Sequence, residues 1–404
     1  MVKGLAFKLA NTASPTTRQN ATLIGSMGFN QILAWGSTFY LPAVLAEPIS
    51  HSLSTSVPAV VGALSWSLLV AGLCAPVVGR IIDKHGGKWV LAFSSLLLAL
   101  GLIAMSLATG LLVYYIAWTV LGLGMAAGLY DAGFATLGRL MGAKARSSMT
   151  GLTLIAGFAS TVAWPFLAAM DASYGWQTTC MVLALIHLVV GLPLHLLTVP
   201  TPSPRADEPQ KVAKKSYAPA DPRLVWIALL FTLHAFVMSA LAVNLIALLR
   251  GHEISAAMAV TFGALMGPSQ VVARLLEYAF GRNAHPVWIA RLGILACMVG
   301  LLALGPGIVM LSLLAVVTFG GGNGIMTIAR GTVPLTLLGS INLGMHLGLI
   351  ARPVLIAQAV APMVCAYILV QLGPNWLIWI MAGILGIGAL VAFTKLRTFD
   401  PSAA

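Results

Sequence analysis

Apolar residues run along this chain in long blocks, each closed by a short group of glycine, proline or charged residues. A helix that crosses a bilayer needs about 20 residues, and twelve blocks come close to or exceed that length. They predict helices over 21–45, 58–82, 89–108, 111–137, 149–170 and 177–197. A second set follows over 224–249, 256–276, 287–304, 308–328, 347–370 and 376–393. Between the sets, residues 200–223 read PTPSPRADEPQKVAKKSYAPADPR, too rich in proline and charge to span. Such a segment reads as a linker. The pattern predicts an all-α integral membrane protein with two six-helix halves, 21–199 and 224–397, and short tails over 1–20 and 398–404.

Composition narrows the picture. Of 404 residues 59% are hydrophobic and 8% charged, with mean hydropathy +0.96. A soluble domain could not keep so much apolar surface out of water. The net charge of +12 invites a nucleic-acid reading, but its placement argues against one. Lys and Arg gather at Lys3, Lys8 and Arg18, at 80–88, 139–146 and 205–223, at Arg282, and at 395–397. Those are alternate loops, the arrangement expected of a cytoplasmic face, with both termini on that side. The first twenty residues lack the apolar core and small-residue cleavage site of a signal peptide, so none is expected. Cys74, Cys180, Cys297 and Cys365 lie far apart within apolar blocks, which supports neither a disulfide framework nor a metal site. No nucleophile–base set is visible, and GGGNG at 320–324 sits inside a span where a phosphate cradle makes little sense. An enzyme is not expected, nor a cofactor.

Just after the second block the chain reads Gly79-Arg80-Ile81-Ile82-Asp83-Lys84-His85-Gly86-Gly87-Lys88. Gly79 lets helices approach closely, Asp83 can pair with a base or cap a helix, and Lys84 and Lys88 hold the loop inside the cell. The segment resembles the loop between helices two and three of the major facilitator superfamily, G-x-x-x-D-(R/K)-x-G-(R/K)-(R/K). Gly79, Asp83, Lys84, Gly86 and Lys88 match; Gly87 stands where a base is usual. Internal symmetry accords with the resemblance: Ala273-Arg274-(x2)-Glu277 is a faded copy of Gly79-Arg80-(x2)-Asp83, and Gly122, Gly124 and Gly128 have counterparts in Gly320, Gly322 and Gly324. The resemblance implies twelve transmembrane helices in two pseudo-symmetric halves, transport by alternating access, and a cytoplasmic gate at Gly79, Arg80, Asp83, Lys84, Gly86 and Lys88.

Ionisable groups inside a membrane are costly, so each is a functional candidate. Asp131, in GLYDAGF, is an acid well inside a span; it either binds a coupling proton or pairs with Arg139 or Arg330. Arg352 lies a third to half of the way along helix eleven beside Pro353, and its planar fork suits a carboxylate. It serves as a substrate anchor, or else pairs internally or snorkels. Certain carboxylate carriers of the superfamily place an arginine in helix eight and a base in helix eleven, and Arg274 with Arg352 looks like that arrangement. Arg274, Glu277 and Arg330 also lie near the cytoplasmic end, which favours a gate. His234, mid-way along helix seven, and Gln31, Trp35, Tyr40, Tyr130, Asn323 and Gln358 complete the candidate substrate-binding set.

Departures from the family's patterns bear on substrate. Trp118 stands where many proton-coupled members carry arginine before G-x-G, and GFASTVAWPF lacks the adjacent Gly-Pro of drug–proton antiporters. The sequence looks closest to bacterial monocarboxylate and oxalate carriers. The expectation is therefore a monomeric secondary transporter of a small organic anion in the bacterial inner membrane, a symporter coupled to protons. The alternative is efflux of a hydrophobic or cationic toxicant, with Asp131 as charge partner and Trp35, Tyr40, Trp118 and Tyr130 as its pocket.

Overall fold

The computed structural model describes residues 17–201, 221–281 and 284–396. Residues 1–16 and 202–220, with most of the expected linker, lie outside them, as do Arg282 and 397–404. The first half contains α1 (Thr17–Gly36), α2 (Pro42–Ser52), α3 (Val57–His85), α4 (Lys88–Ser106), α5 (Leu111–Gly128), α6 (Tyr130–Met141), α7 (Ala145–Ala156), α8 (Ala159–Ile186) and α9 (Leu192–Thr198). The second contains α10 (Pro222–Gly251), α11 (Ala256–Leu276), α12 (Pro286–Leu302), α13 (Val309–Leu338), α14 (Leu343–Leu372) and α15 (Pro374–Thr394). Local chemistry sets many of the ends. The hydroxyls of Ser56 and Ser255 accept from the amides of Ala59 and Met258, and the Asp221 carboxylate accepts from Arg223 N–H. Helix α3 stops at Gly86, whose φ of +83° suits glycine.

Eight helical stretches are long and apolar enough to cross a membrane, with α12 a shorter apolar helix beside them. One of the eight runs from Leu111 to Thr198, 88 residues. Straight, it would measure about 130 Å, several times a bilayer core of about 30 Å. It is instead folded back, at Gly142 (φ +58°) and at Gly175 (φ +78°), into three passes. With α1 and α2 forming the first pass, the described residues make twelve.

Two expectations change in detail. The first span is not continuous: it breaks after Gly36, and a turn through Ser37 and Tyr40 joins α1 to α2. The motif at 79–88 is not mainly a loop either. Gly79 to His85 are the last turns of α3, and only Gly86 and Gly87 form the hinge.

Each half has its own apolar core. One is built around Trp118, Tyr114, Leu41 and Leu98, the other around Phe231, Phe319, Leu241 and Ile294. The glycines singled out in the sequence do matching work in both halves. Gly122 lies against Ser67 of α3 and Gly124 against Leu98 of α4; Gly320 and Gly324 lie against Met266 and Gln270 of α11, and Gly322 against Gly293 and Cys297 of α12. The pseudo-symmetry is therefore one of packing as well as of sequence.

Candidate functional site

The halves meet along two seams on the side that carries Lys84, Lys88, Arg139 and Arg146, here called the basic end. Helix α3 packs on α14 in the first seam. Gly79 and Gly344 touch backbone to backbone, and a side chain on Gly348 would overlap the backbone of Ala75 and Pro76. Asp83 caps the start of α14, its two carboxylate oxygens accepting from Gly344 N–H at 2.8 Å and Met345 N–H at 2.7 Å. A negative charge at a helix N-terminus is also favoured by the helix dipole. The second seam joins α7 to α11 and the π-turn Glu277–Gly281 that follows it. There Arg146 Nη2 donates to the Gly281 carbonyl at 3.1 Å and lies 3.7 Å from Glu277. Asp83 and Glu277, equivalent in the faded repeat, thus close equivalent seams.

Further in, two arginines of the second half reach the first. Arg330 on α13 grips Asp131 on α6 bidentately through one edge of its guanidinium, Nε to Oδ1 at 3.0 Å and Nη2 to Oδ2 at 2.7 Å. Each side chain is 17% exposed. Of the two partners considered for Asp131, the structure selects Arg330 over Arg139. Arg274 on α11 is 4% exposed and has no carboxylate partner among the described residues. Its donors go to neutral acceptors: Nε to the Gly324 carbonyl at 3.3 Å and Nη1 to the Thr153 carbonyl of the opposite half at 3.0 Å. Nη2 reaches Gln270 Oε1 and Thr327 Oγ1, each at 3.4 Å. Backbone carbonyls hold two corners of the guanidinium. The third rests on longer bonds to side chains that can rotate away.

Opposite Arg274 stands a connected group of aromatic rings. Trp35 lies 5.2 Å from Tyr130, 5.4 Å from Phe39 and 6.2 Å from Tyr40, centroid to centroid. Tyr40 in turn lies 5.8 Å from Trp164. The hydroxyls of Tyr40 and Tyr130 are within electrostatic reach of Arg274. Gln31 holds the group in place: its Nε2 donates to the Gly128 carbonyl at 2.6 Å, and its Oε1 accepts from Trp35 Nε1 at 3.1 Å. The break between α1 and α2 brings Phe39 and Tyr40 into this group. A cation held by neutral acceptors, next to a wall of rings, can receive an anion with an apolar body.

The family model for the Major Facilitator Superfamily matches residues 27–351. The chain is a member of the major facilitator superfamily. A Thermoproteus tenax protein described as an uncharacterized 38 kDa protein in the 23S RNA operon is 27% identical over 295 residues, 72% of this chain and 74% of that one. The agnestins efflux protein AgnL12 of Paecilomyces divaricatus is also 27% identical, over 210 residues, half of this chain and 45% of that protein. Among solved structures, the human organic anion transporter MFSD10 superposes with a TM-score of 0.75 at 14% identity, covering 94% of this chain and 100% of that chain. The E. coli fucose:proton symporter FucP gives 0.72 at 14% identity, covering 95% and 99%. At such identities the likeness is one of fold. This facilitator is an integral membrane transporter of a small-molecule substrate.

Several predicted residues of the facilitator stand elsewhere. Arg352 is exposed and makes no hydrogen bond or ion pair among the described residues. It shares a helix face with Met363, about three turns on, which is 77% exposed, and it is flanked by exposed Leu349 and Val360. That is an apolar outer face, so Arg352 is not brought to Arg274. Trp118 is fully buried beside Tyr114 in the core of the first half. Arg80 is exposed and donates to Pro76 of its own helix at 3.2 Å, unlike its sequence counterpart Arg274. Lys84 is exposed and Lys88 half-buried at the basic end. His234 is 7% exposed, is within electrostatic reach of Arg330, and its Nε2 has no hydrogen-bond partner. Asn323 is buried on α13, and Gln358 is half-buried on α14, its backbone carbonyl accepting from Ser239.

Arg146, Phe39 and Trp164 were missed as site residues. Trp164 had a signal: Thr153, Gly157, Ser160 and Trp164 fall at helical spacing. Thr153 and Gly157 meet Arg274, and Ser160 meets Gly267. A groove of about 680 Å³ lined by Cys74, Val78, Trp89 and Phe93 contains none of these site residues.

Proposed function

We propose that this facilitator is a secondary carrier of small organic anions in a bacterial inner membrane, working as a monomer by alternating access and coupled to protons. The observation that carries the reading is Arg274, a buried guanidinium held among the described residues by neutral acceptors alone. A buried charge without a counter-ion is costly, and an anionic substrate supplies one. Arg274 rather than Arg352 is the anchor in this reading.

The basic end faces the cytoplasm by the positive-inside rule, so the zipped seams close the inner side and the site opens outward. Two further bonds between the halves lie inward of the seams, and these respond to ligands. An anion at Nη2 replaces Gln270 and Thr327 and draws the guanidinium away from the Thr153 carbonyl. A proton on Asp131 removes one charge of the pair with Arg330. Each event weakens a tie at the inner end, so anion and proton together favour the inward-open state. Coupling needs only that they bind the two states differently.

The test is thermal stability of the purified carrier with small carboxylates. A ligand at about a hundred times its dissociation constant adds about 2.7 kcal/mol, a readable rise in midpoint. Carboxylates are expected to stabilise the wild type and not Arg274→Ala, while Arg274→Lys retains part of the effect. Equal stabilisation of Arg274→Ala would overturn the assignment. The aromatic group favours a second reading, efflux of hydrophobic cations. It requires stabilisation by organic cations that is lost in Asp131→Asn.

A further inference from the structure

We infer that the substrate is an aromatic monocarboxylate, its carboxylate on Arg274 and its ring seated against Trp35, Tyr40 and Trp164. The inference rests on the anion-carrier reading and adds the charge and the body of the substrate.

Charge comes first. While Asp131 is ionised, the form an incoming anion meets first, it neutralises Arg330 through two short bonds, and Arg274 is the cation of this site left without a carboxylate partner among the described residues. One net positive charge at a buried position balances one negative charge. A dianion would leave its second charge unpaired, and an unpaired buried charge is costly. The guanidinium offers its Nη2 corner, where the 3.4 Å bonds to Gln270 and Thr327 are the longest it makes and end on side chains rather than backbone. Both neighbours can turn and donate to the incoming carboxylate, Gln270 through its amide and Thr327 through its hydroxyl. A flat two-oxygen anion suits that corner.

The body of the substrate follows from the wall beside it. Tyr40 is central, with Trp35 tilted at 42° and 6.2 Å, Phe39 edge-on at 87° and 5.6 Å, and Trp164 edge-on at 85° and 5.8 Å. Edge-to-face and tilted pairs at these spacings are how aromatic rings pack favourably. The arrangement is fixed before any ligand arrives, since Gln31 ties the Trp35 indole N–H to the first half. With its N–H so engaged, Trp35 offers ring surface and no donor. Trp164 is 43% exposed, leaving surface for another ring. An acetate- or lactate-sized acid on Arg274 would leave this wall uncovered. A benzoate- or phenylacetate-sized acid would reach it.

The experiment measures binding to the full-length carrier in nanodiscs by thermal stability. Probes are benzoate, phenylacetate, acetate, lactate, oxalate, phthalate, benzamide and phenyltrimethylammonium. Benzoate or phenylacetate is expected to half-saturate at concentrations about tenfold below acetate and lactate, in keeping with one or two aromatic contacts. Oxalate, phthalate and benzamide should bind weakly. Trp35→Leu should bring the aryl acids to the level of acetate; should that variant fold poorly, the more exposed Trp164→Leu serves the same purpose. Acetate, lactate or a dicarboxylate binding as tightly as benzoate would overturn the inference and leave the anion carrier standing, as would a preference that survives both variants. Stabilisation by no carboxylate, or by phenyltrimethylammonium alone, would overturn both.

Discussion

Asp131 and Arg330 join the two halves through a bidentate ion pair with little exposure. Removing one member of such a pair leaves the other charge stranded, which typically costs about 3–5 kcal/mol. Asp131→Asn should therefore weaken the closed basic end and abolish the pH dependence of net transport, while substrate exchange persists. Proteoliposome uptake against external pH checks it, and an unchanged profile would remove Asp131 from the coupling role. Arg352 carries the opposite expectation. Because it stands on an apolar outer face without a partner among the described residues, Arg352→Ala should change substrate affinity by less than about threefold, since surface substitutions usually stay within ±0.5 kcal/mol. A large loss of binding, measured by titration, would return it to the site. From sequence the two residues are equally good candidates; the rotation of α14 separates them.

At the scale of helices, function depends on how closely α3 and α14 can approach. Their backbones touch at Gly79 and Gly344, and Ala75 and Pro76 lie against Gly348. Gly348→Leu has no space in this arrangement and should push the seam apart, shifting the carrier toward the inward-open state. Distances between spin labels placed across the basic end should lengthen by several ångströms, and an unchanged distribution would refute the seam as the inner gate. The motif at 79–88 was legible in the sequence because its glycine and acid have narrow physical uses. Its acceptors were not: Asp83 is satisfied by the amides of Gly344 and Met345, more than 250 residues away. Side-chain chemistry carries no record of which backbone amides will be close.

For the whole molecule, the zipped basic end and the basic loops together predict sidedness. In a background lacking the native thiols, a cysteine at Trp164 should react with a membrane-impermeant reagent in intact cells and be protected by substrate. A cysteine at Lys84 should react only after the membrane is permeabilised. The reverse pattern would invert the topology and, with it, the direction assigned to the closed end.

What the sequence determined by itself is the fold. Twelve apolar blocks of membrane length allow few alternatives, because backbone polar groups in lipid must be satisfied within each helix, and glycine runs in the fourth and tenth blocks marked two related halves. It also offered candidates: Asp131 and Arg330 from the cost of ionisable groups in lipid, Arg274 from the resemblance to carboxylate carriers and from the faded repeat, and Gln31, Trp35, Tyr40 and Tyr130 as polar and aromatic groups within the spans. What only the tertiary structure decided is which of them meet. Arg80 and Arg274 occupy equivalent positions in the repeat, yet one is exposed and the other buried. Arg274 and Arg352 look interchangeable as anchors until helix rotation turns one inward and the other out. A helix buries one face and exposes another, and the choice is made by neighbours far away in the chain, among them Gly324, Thr153 and Gly72.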